Sequence, residues 1–305
     1  MNRMGYACIN MKLSSQKPKI YTGRSMIKRT FKSKGIGYAS ELGLQNTKDL
    51  FEIIKWNNEN GFDFFRITSN LFPWCSEYKL EDMPDHWEIA GILGEIGKYV
   101  DENNMRITSH PGPFNVLTSP HEHVVENCIK DLSIHGEVFD MMGLSRTPYN
   151  KINIHIGGAY GDKISSMERF CTNFHRLPDS VKSRLTVEND DKATMYSVVD
   201  LYEGVYKVIG IPIVFDYHHH RFCTGGLSEE DALEVAISTW GDIKPVVHYS
   251  ESRNIEQEDD KIRPQAHSDY VYDYIDTYGN EVDIMVEAKA KELAVLKYKE
   301  VHGIL

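Results

Sequence analysis

Short runs of β-branched and aromatic residues recur along the chain, and most are followed by stretches with apolar positions every three or four residues. Eight such runs predict strands near residues 5–10, 62–68, 105–109, 151–156, 184–187, 211–215, 245–249 and 282–286. Between them lie amphipathic helices. Residues 46–61 carry Leu50, Ile53 and Ile54 on one face and end at Gly61, and residues 228–241 open on Ser228 and early acids and close on Gly241. Eight alternations of strand and helix favour a closed parallel barrel over an open sheet, so the expected fold is a TIM (β/α)8 barrel, regular or not. No repeat, low-complexity tract or linker interrupts residues 1–305, which are expected to form one domain.

Barrel enzymes place their chemistry at the carboxyl ends of the strands. Here polar residues fall there repeatedly. Strand one ends in Asn10, strand three in Ser109 and His110, strand four in His155, strand five in Glu188, Asn189, Asp190 and Asp191, strand six in Asp216 with His218, His219 and His220, strand seven in His248, and strand eight in Glu287. Singly, each has an ordinary explanation: a hydrogen-bonded surface histidine, a turn residue at Glu188, or an acid opening the last helix at Glu287. Together they would converge on one barrel mouth, where bare carboxylates repel each other and cations relieve the repulsion. Mixed imidazole and carboxylate donors suit Mn²⁺, Zn²⁺ or Fe²⁺, in number enough for two or three ions. In an extended HHH segment only alternate residues share a face, and His219 is the favoured ligand. His86, His121, His123, His135, His175 and His302 are expected at the surface.

With 41% hydrophobic and 26% charged residues, and no apolar run near the roughly 18 residues of a membrane helix, the sequence predicts a globular, non-membrane protein. MNRMGYACIN holds too short an apolar stretch for a signal peptide. Five scattered cysteines without CxxC spacing argue against a disulfide framework or a cysteine–zinc module and predict an intracellular location, cytoplasm, nucleoid or nucleus. The net charge of −11 opposes indiscriminate binding of a polyanion. Residues 12–34, an insertion after strand one, carry eight lysines and arginines and no acid; without those charges the remainder stands at −19. The insertion reads either as a solvated loop or as a phosphate-contacting arm through Lys28, Arg29, Lys32 and Lys34.

GYACIN, RITSNLFPW, SHPG, HIGGAYGDK, VENDD, FDYHHH, VHYSES, AHSDY and MVEAKAKE follow one another along nearly the whole chain. In this order they resemble the UV damage endonucleases, repair nucleases related in fold to endonuclease IV. The resemblance implies a TIM barrel with up to three divalent ions, commonly manganese, that cuts DNA immediately 5′ of pyrimidine dimers, 6-4 photoproducts and often abasic sites. It implies metal ligands at His110, His155, Glu188, Asp216, His219, His248, His267 and Glu287, with His267 named by the resemblance alone. It also implies that Tyr6 and Asn10 line a DNA-binding pocket. Three departures stand out. Glu77 replaces a histidine that the family usually has after strand two, and Val246 replaces a lysine that some members carry two residues before the strand-seven histidine. Pro113 and Phe114 stand where the family has glutamine and an aromatic residue that enter the duplex in place of flipped lesion bases. Proline offers no amide and stiffens the loop, whereas phenylalanine keeps a face for stacking.

These readings predict a metal-dependent DNA repair endonuclease whose catalytic carboxylates are Glu188, Asp216 and Glu287. Its cofactors would be two or three divalent ions, Mn²⁺ before Zn²⁺, and its partner damaged double-stranded DNA, with no obligate protein partner evident. Two alternatives remain: a sugar isomerase of the xylose isomerase type, and a metal-stabilised DNA-binding protein without catalysis.

Overall fold

All eight predicted strands form, as short staves: β1 (Met4–Ala7), β2 (Phe64–Ile67), β3 (Arg106–Ser109), β4 (Ile152–Ile154), β5 (Leu185–Glu188), β6 (Ile213–Asp216), β7 (Val246–Tyr249) and β8 (Asp283–Val286). The structure is a computed structural model and describes residues 2–304. Each strand pairs in parallel with its sequence neighbours, and β1 closes the barrel on β8 through the register Met4 to Ile284. Helices wrap the outside. Their apolar faces meet the outward strand residues in a core that includes Leu50, Ile54, Leu93, Leu132, Phe139, Phe170 and Leu233.

The helix expected from residue 46 begins earlier, spanning Lys28–Glu59 with a break at Gly35, whose φ of 68° is left-handed. Its first turns carry lysines and no apolar stripe, so periodicity does not reveal them. The basic insertion is therefore partly helical. Phe31 stacks on Trp74 with ring centroids 6.1 Å apart and fastens this segment to the loop after β2. The helix Glu229–Ser238 starts where Ser228 caps it.

Inside the barrel, Ala7, Phe64, Val214, Val246 and Met285 form a small apolar layer separate from the outer core. Side chains two residues apart on a strand share a face. Arg66, Asp216, His248 and Glu287 therefore lie above Phe64, Val214, Val246 and Met285, at the mouth. At the opposite end the fully buried Asp283 accepts from the Arg3 backbone N–H at 3.0 Å and pairs with Arg106 Nη1 and Lys244 Nζ, each at 3.0 Å.

Candidate metal centre

Glu188 is the hub of the mouth. It ends β5, is almost wholly buried, and accepts a hydrogen bond from Asn153 Nδ2, which fixes its carboxylate. Its Oε2 lies 3.2 Å from His110 Nε2 and 3.1 Å from His248 Nδ1, and its Oε1 lies 3.4 Å from His219 Nδ1 and 3.8 Å from His155 Nε2. Glu287 joins through Oε1, 3.2 Å from His248 Nδ1, and His267 Nε2 stands 4.0 Å from its other oxygen. Among the described residues, His110, His155 and Glu188 form one set of donor atoms within 4.8 Å of one another, and Glu188, Asp216 and His248 form another.

Beyond the hydrogen bond between His110 Nε2 and Glu188 Oε2, close approach here does not mean hydrogen bonding. Asp216 Oδ2, His155 Nδ1 and His248 Nδ1 are buried without a hydrogen-bond partner, although carboxylate oxygens or ring nitrogens stand about them. Buried polar atoms normally find partners. Donor atoms that converge without bonding one another are what a cation requires, and imidazole with carboxylate is a donor set for a divalent first-row metal. The residues fit such a group.

The electrostatics follow from burial and crowding. Burial opposes ionisation of Glu188, but His248, His155 and His110 hold it well below the usual carboxylate range. Burial pushes Asp216 up to about 7, with the charges of Glu188 and Glu287 adding to it against His219. Burial opposes protonation of His155, yet Glu188 and Asp190 raise it to about 10, whereas burial and then Lys151 take His248 down to about 4. Asp190 lies 3.1 Å from His155 Nδ1, on the side of the ring away from Glu188, and orients Nε2 toward the cluster.

The HHH segment is a one-turn helix, Tyr217–His220, rather than extended, because Asp216 Oδ1 accepts from the His219 N–H at 2.8 Å and caps it. Successive side chains then point about 100° apart. His219 faces the cluster and its Nδ1 bonds the Asn189 carbonyl at 2.9 Å, leaving Nε2 available. His218 and His220 are buried on other sides, and His135, expected at the surface, is buried beside Asp131.

Glu77 is not brought to this cluster. Its side chain is 48% exposed, 4.0 Å from Lys28 Nζ, in a separate cleft with Asn127 and Lys130. Tyr6 and Asn10, expected to line a DNA-binding pocket, are both fully buried. Tyr6 donates to Asn57 Oδ1 and accepts from Asn10 Nδ2 at 2.8 Å, while Asn10 Oδ1 caps the helix Met11–Ser14. The Tyr6 ring packs edge-on against Phe62 and Phe65, so the pair braces β1 from outside the barrel. Lys28, Arg29, Lys32 and Lys34 are exposed.

Pro113 and Phe114 stand at the rim, with Phe114 86% exposed. The turn beneath them is fastened by Asn115, whose Nδ2 donates to the Gly112 carbonyl at 3.1 Å and to Asp131 Oδ2 at 2.8 Å. Gly157, in the loop after β4, has φ +112°, and a Cβ there would collide with Val116 Cγ1 and come within 2.6 Å of Thr118 Oγ1. A cavity of about 630 Å³ opens between these loops, lined by His110, His155, Glu188, Asp190, His219, His267 and Glu287 among others.

Two cations were missed by reading ligand types alone. Arg66 Nη1 pairs with Glu287 Oε1, and Lys151 Nζ lies 3.1 Å from His248 Nε2, with burial pushing its amine down to about 7. The available signal was alternation: Arg66 is two residues from Phe64, and Lys151 is two from Asn153 and four from His155.

A family model described as "UV-endonuclease UvdE" matches residues 2–304. A UV-damage endonuclease of Schizosaccharomyces pombe is 37% identical over 97% of this chain, which spans half the length of that relative. A putative UV-damage endonuclease of Acanthamoeba polyphaga mimivirus is 33% identical, with 97% of this chain and 89% of the relative covered. The crystal structure of SacUVDE superposes with a TM-score of 0.83 at 32% identity, over 99% of this chain and 98% of that one. A D-psicose 3-epimerase, at 15% identity and a TM-score of 0.53 over 78% of each chain, shares the fold alone. Among the described residues no helix is long and apolar enough to cross a membrane.

Proposed function

This chain belongs to the UvdE family of UV-endonucleases, and from that premise we propose that it is a DNA repair endonuclease working within a single domain inside the cell. It hydrolyses the phosphodiester immediately 5′ of pyrimidine dimers, 6-4 photoproducts and abasic sites in double-stranded DNA, leaving a 3′-hydroxyl. The observation that carries this reading is the convergence of His110, His155, His248 and Asp216 on the buried Glu188, beside a rim that presents an exposed Phe114.

His110, His155, Glu188, Asp216, His219, His248, His267 and Glu287 would hold two or three divalent ions, Mn²⁺ before Zn²⁺ given three carboxylates in the set. Bound there, such ions supply an acidified water and positive charge for the phosphate oxygens. The chain's own part is to fix the donors. Asn153 and the imidazoles hold Glu188 ionised, the Asn189 carbonyl sets the tautomer of His219, and Asp190 stands 3.1 Å from His155 Nδ1. Phe114 would enter the duplex as an apolar wedge where damage has weakened pairing, and Pro113 would keep its loop stiff. Lys28, Arg29, Lys32 and Lys34 would meet phosphates beyond the site.

The test is incubation of the protein and Mn²⁺ with an end-labelled duplex carrying one cyclobutane dimer. Cleavage 5′ of the dimer is expected; a gel shift without cleavage would mean a binding protein, and no interaction would return the sugar isomerase. The change Phe114→Ala should slow incision of dimers about tenfold and abasic sites less, with metal content unchanged, because dimers distort the helix least. Equal loss on every lesion would remove the wedge role.

A further inference from the structure

From β3 to β8, every strand brings a ligand-type side chain to the mouth: His110, His155, Glu188, Asp216, His248 and Glu287. From β2 the inward side chain nearest the mouth is Arg66, level with Ala7 of β1 and Thr108 of β3. It stands two residues beyond Phe64 of the inner apolar layer, so it faces inward, and it lines the same 630 Å³ cavity with its side chain 13% exposed.

The guanidinium is held but not used up. Nη1 pairs with Glu287 Oε1, while the Nε–H is buried without an acceptor. Arg106, the buried arginine of the barrel floor, is used up: it donates from Nε to the Tyr149 carbonyl and from Nη1 to the Lys244 carbonyl and Asp283. An arginine present only to neutralise a carboxylate would resemble Arg106. Arg66 instead keeps donors in reserve at the wall of a cavity, fixed in place by one carboxylate.

We propose that Arg66 is a catalytic residue of the incision reaction, donating to a nonbridging oxygen of the scissile phosphate. This rests on the nuclease reading above. In the hydrolysis, the water oxygen bonds to phosphorus, the bond from phosphorus to O3′ breaks, the hydroxyl stays on the phosphate and the second proton of the water goes to O3′. Negative charge accumulates on the nonbridging oxygens in between, and a planar fork of donors suits it better than a point charge does. Because Glu287 already fixes the guanidinium, little reorganisation is needed when the charge develops.

The experiment compares the Mn²⁺-loaded protein with Arg66→Lys and Arg66→Gln under single-turnover conditions. The substrate is an end-labelled duplex with one cyclobutane dimer, bearing either the natural scissile phosphate or one of its two phosphorothioate epimers. Both variants should lose about 100-fold or more in rate constant, bind the duplex within about threefold of the parent and keep the parental Mn²⁺ content. The sulfur epimer that slows the parent should slow the variants far less, since the contact it disturbs is already gone. A variant with depleted Mn²⁺ would show that Arg66 only holds Glu287, and an undiminished sulfur effect would show that it does not touch the phosphate; either overturns the assignment. An inert parent protein sinks the nuclease reading and this inference with it, whereas an active parent with an equally active Arg66→Lys sinks this inference alone.

Discussion

At the floor of the barrel Asp283 is met by the Arg3 N–H, Arg106 and Lys244, whereas at the mouth Asp216 keeps one carboxylate oxygen buried and unbonded. The two residues end up on opposite sides of their ordinary pKa. Burial opposes ionisation of both, but Arg106 and the Arg3 N–H overcome it at Asp283 and hold it low, while at Asp216 the charges of Glu188 and Glu287 reinforce it and carry it to about 7. Both clusters are charged and enclosed. The one whose hydrogen bonds are complete serves structure, and the one whose hydrogen bonds are left open is the candidate ligand site.

The largest expected break in that comparison is Glu188→Gln. It should remove bound Mn²⁺ and lower incision about 10³-fold, read by elemental analysis and single-turnover rates. Full activity with full metal would refute the hub. Asp283→Asn should act the other way, costing about 3–5 kcal/mol of folding stability because Arg106 is left buried beside a neutral group. Chemical denaturation reads the loss, and the folded fraction should keep its metal. A smaller and slower-varying effect concerns pH in the metal-free protein. Asp216 binds a proton in the folded state up to about 7 and His155 up to about 10, above the ordinary 3.8 and 6.5 of the unfolded chain. Stability from these groups is thus present at low pH and lost as pH rises through 4–7 and then 6.5–10, at a slope of about 1.4 kcal/mol per unit for each proton held only by the folded state. Asp283 has the opposite sign, its contribution appearing above its ordinary pKa and lost in acid. His248, pushed down to about 4, and Lys151, pushed down to about 7, contribute with the opposite sign over nearly the same windows, so melting without metal should vary little between about pH 5 and pH 9, and Mn²⁺ added at pH 7 should release protons. A melting temperature that climbs steadily to pH 9 would contradict the mouth's assignment.

Much of this was legible in the sequence. The eight strands were, because each is a β-branched or aromatic run, and so was the ring of polar side chains at the mouth, because a polar residue directly after such a run is conspicuous. Arg66 and Lys151 were not, because in RITS and KINI a cation beside apolar residues has the alternation of a half-exposed strand. Barrel closure turns that polar face inward. Tyr6 and Asn10 satisfy each other, which no spacing reveals, and Glu77 reads as a ligand by its place in a motif although a short 3₁₀ turn carries it into a neighbouring cleft. The kinked start of the helix Lys28–Glu59 lacks the apolar stripe by which helices are found.

Gly157 lets two parts of the rim lie in direct contact. With no side chain to separate them, the loop that continues from His155 lies directly against Val116 and Thr118, which follow Phe114 in the neighbouring loop. The loop that carries the exposed aromatic ring and the loop that carries a metal-ligand candidate therefore meet at a contact only a glycine permits, and any larger residue at 157 would have to part them.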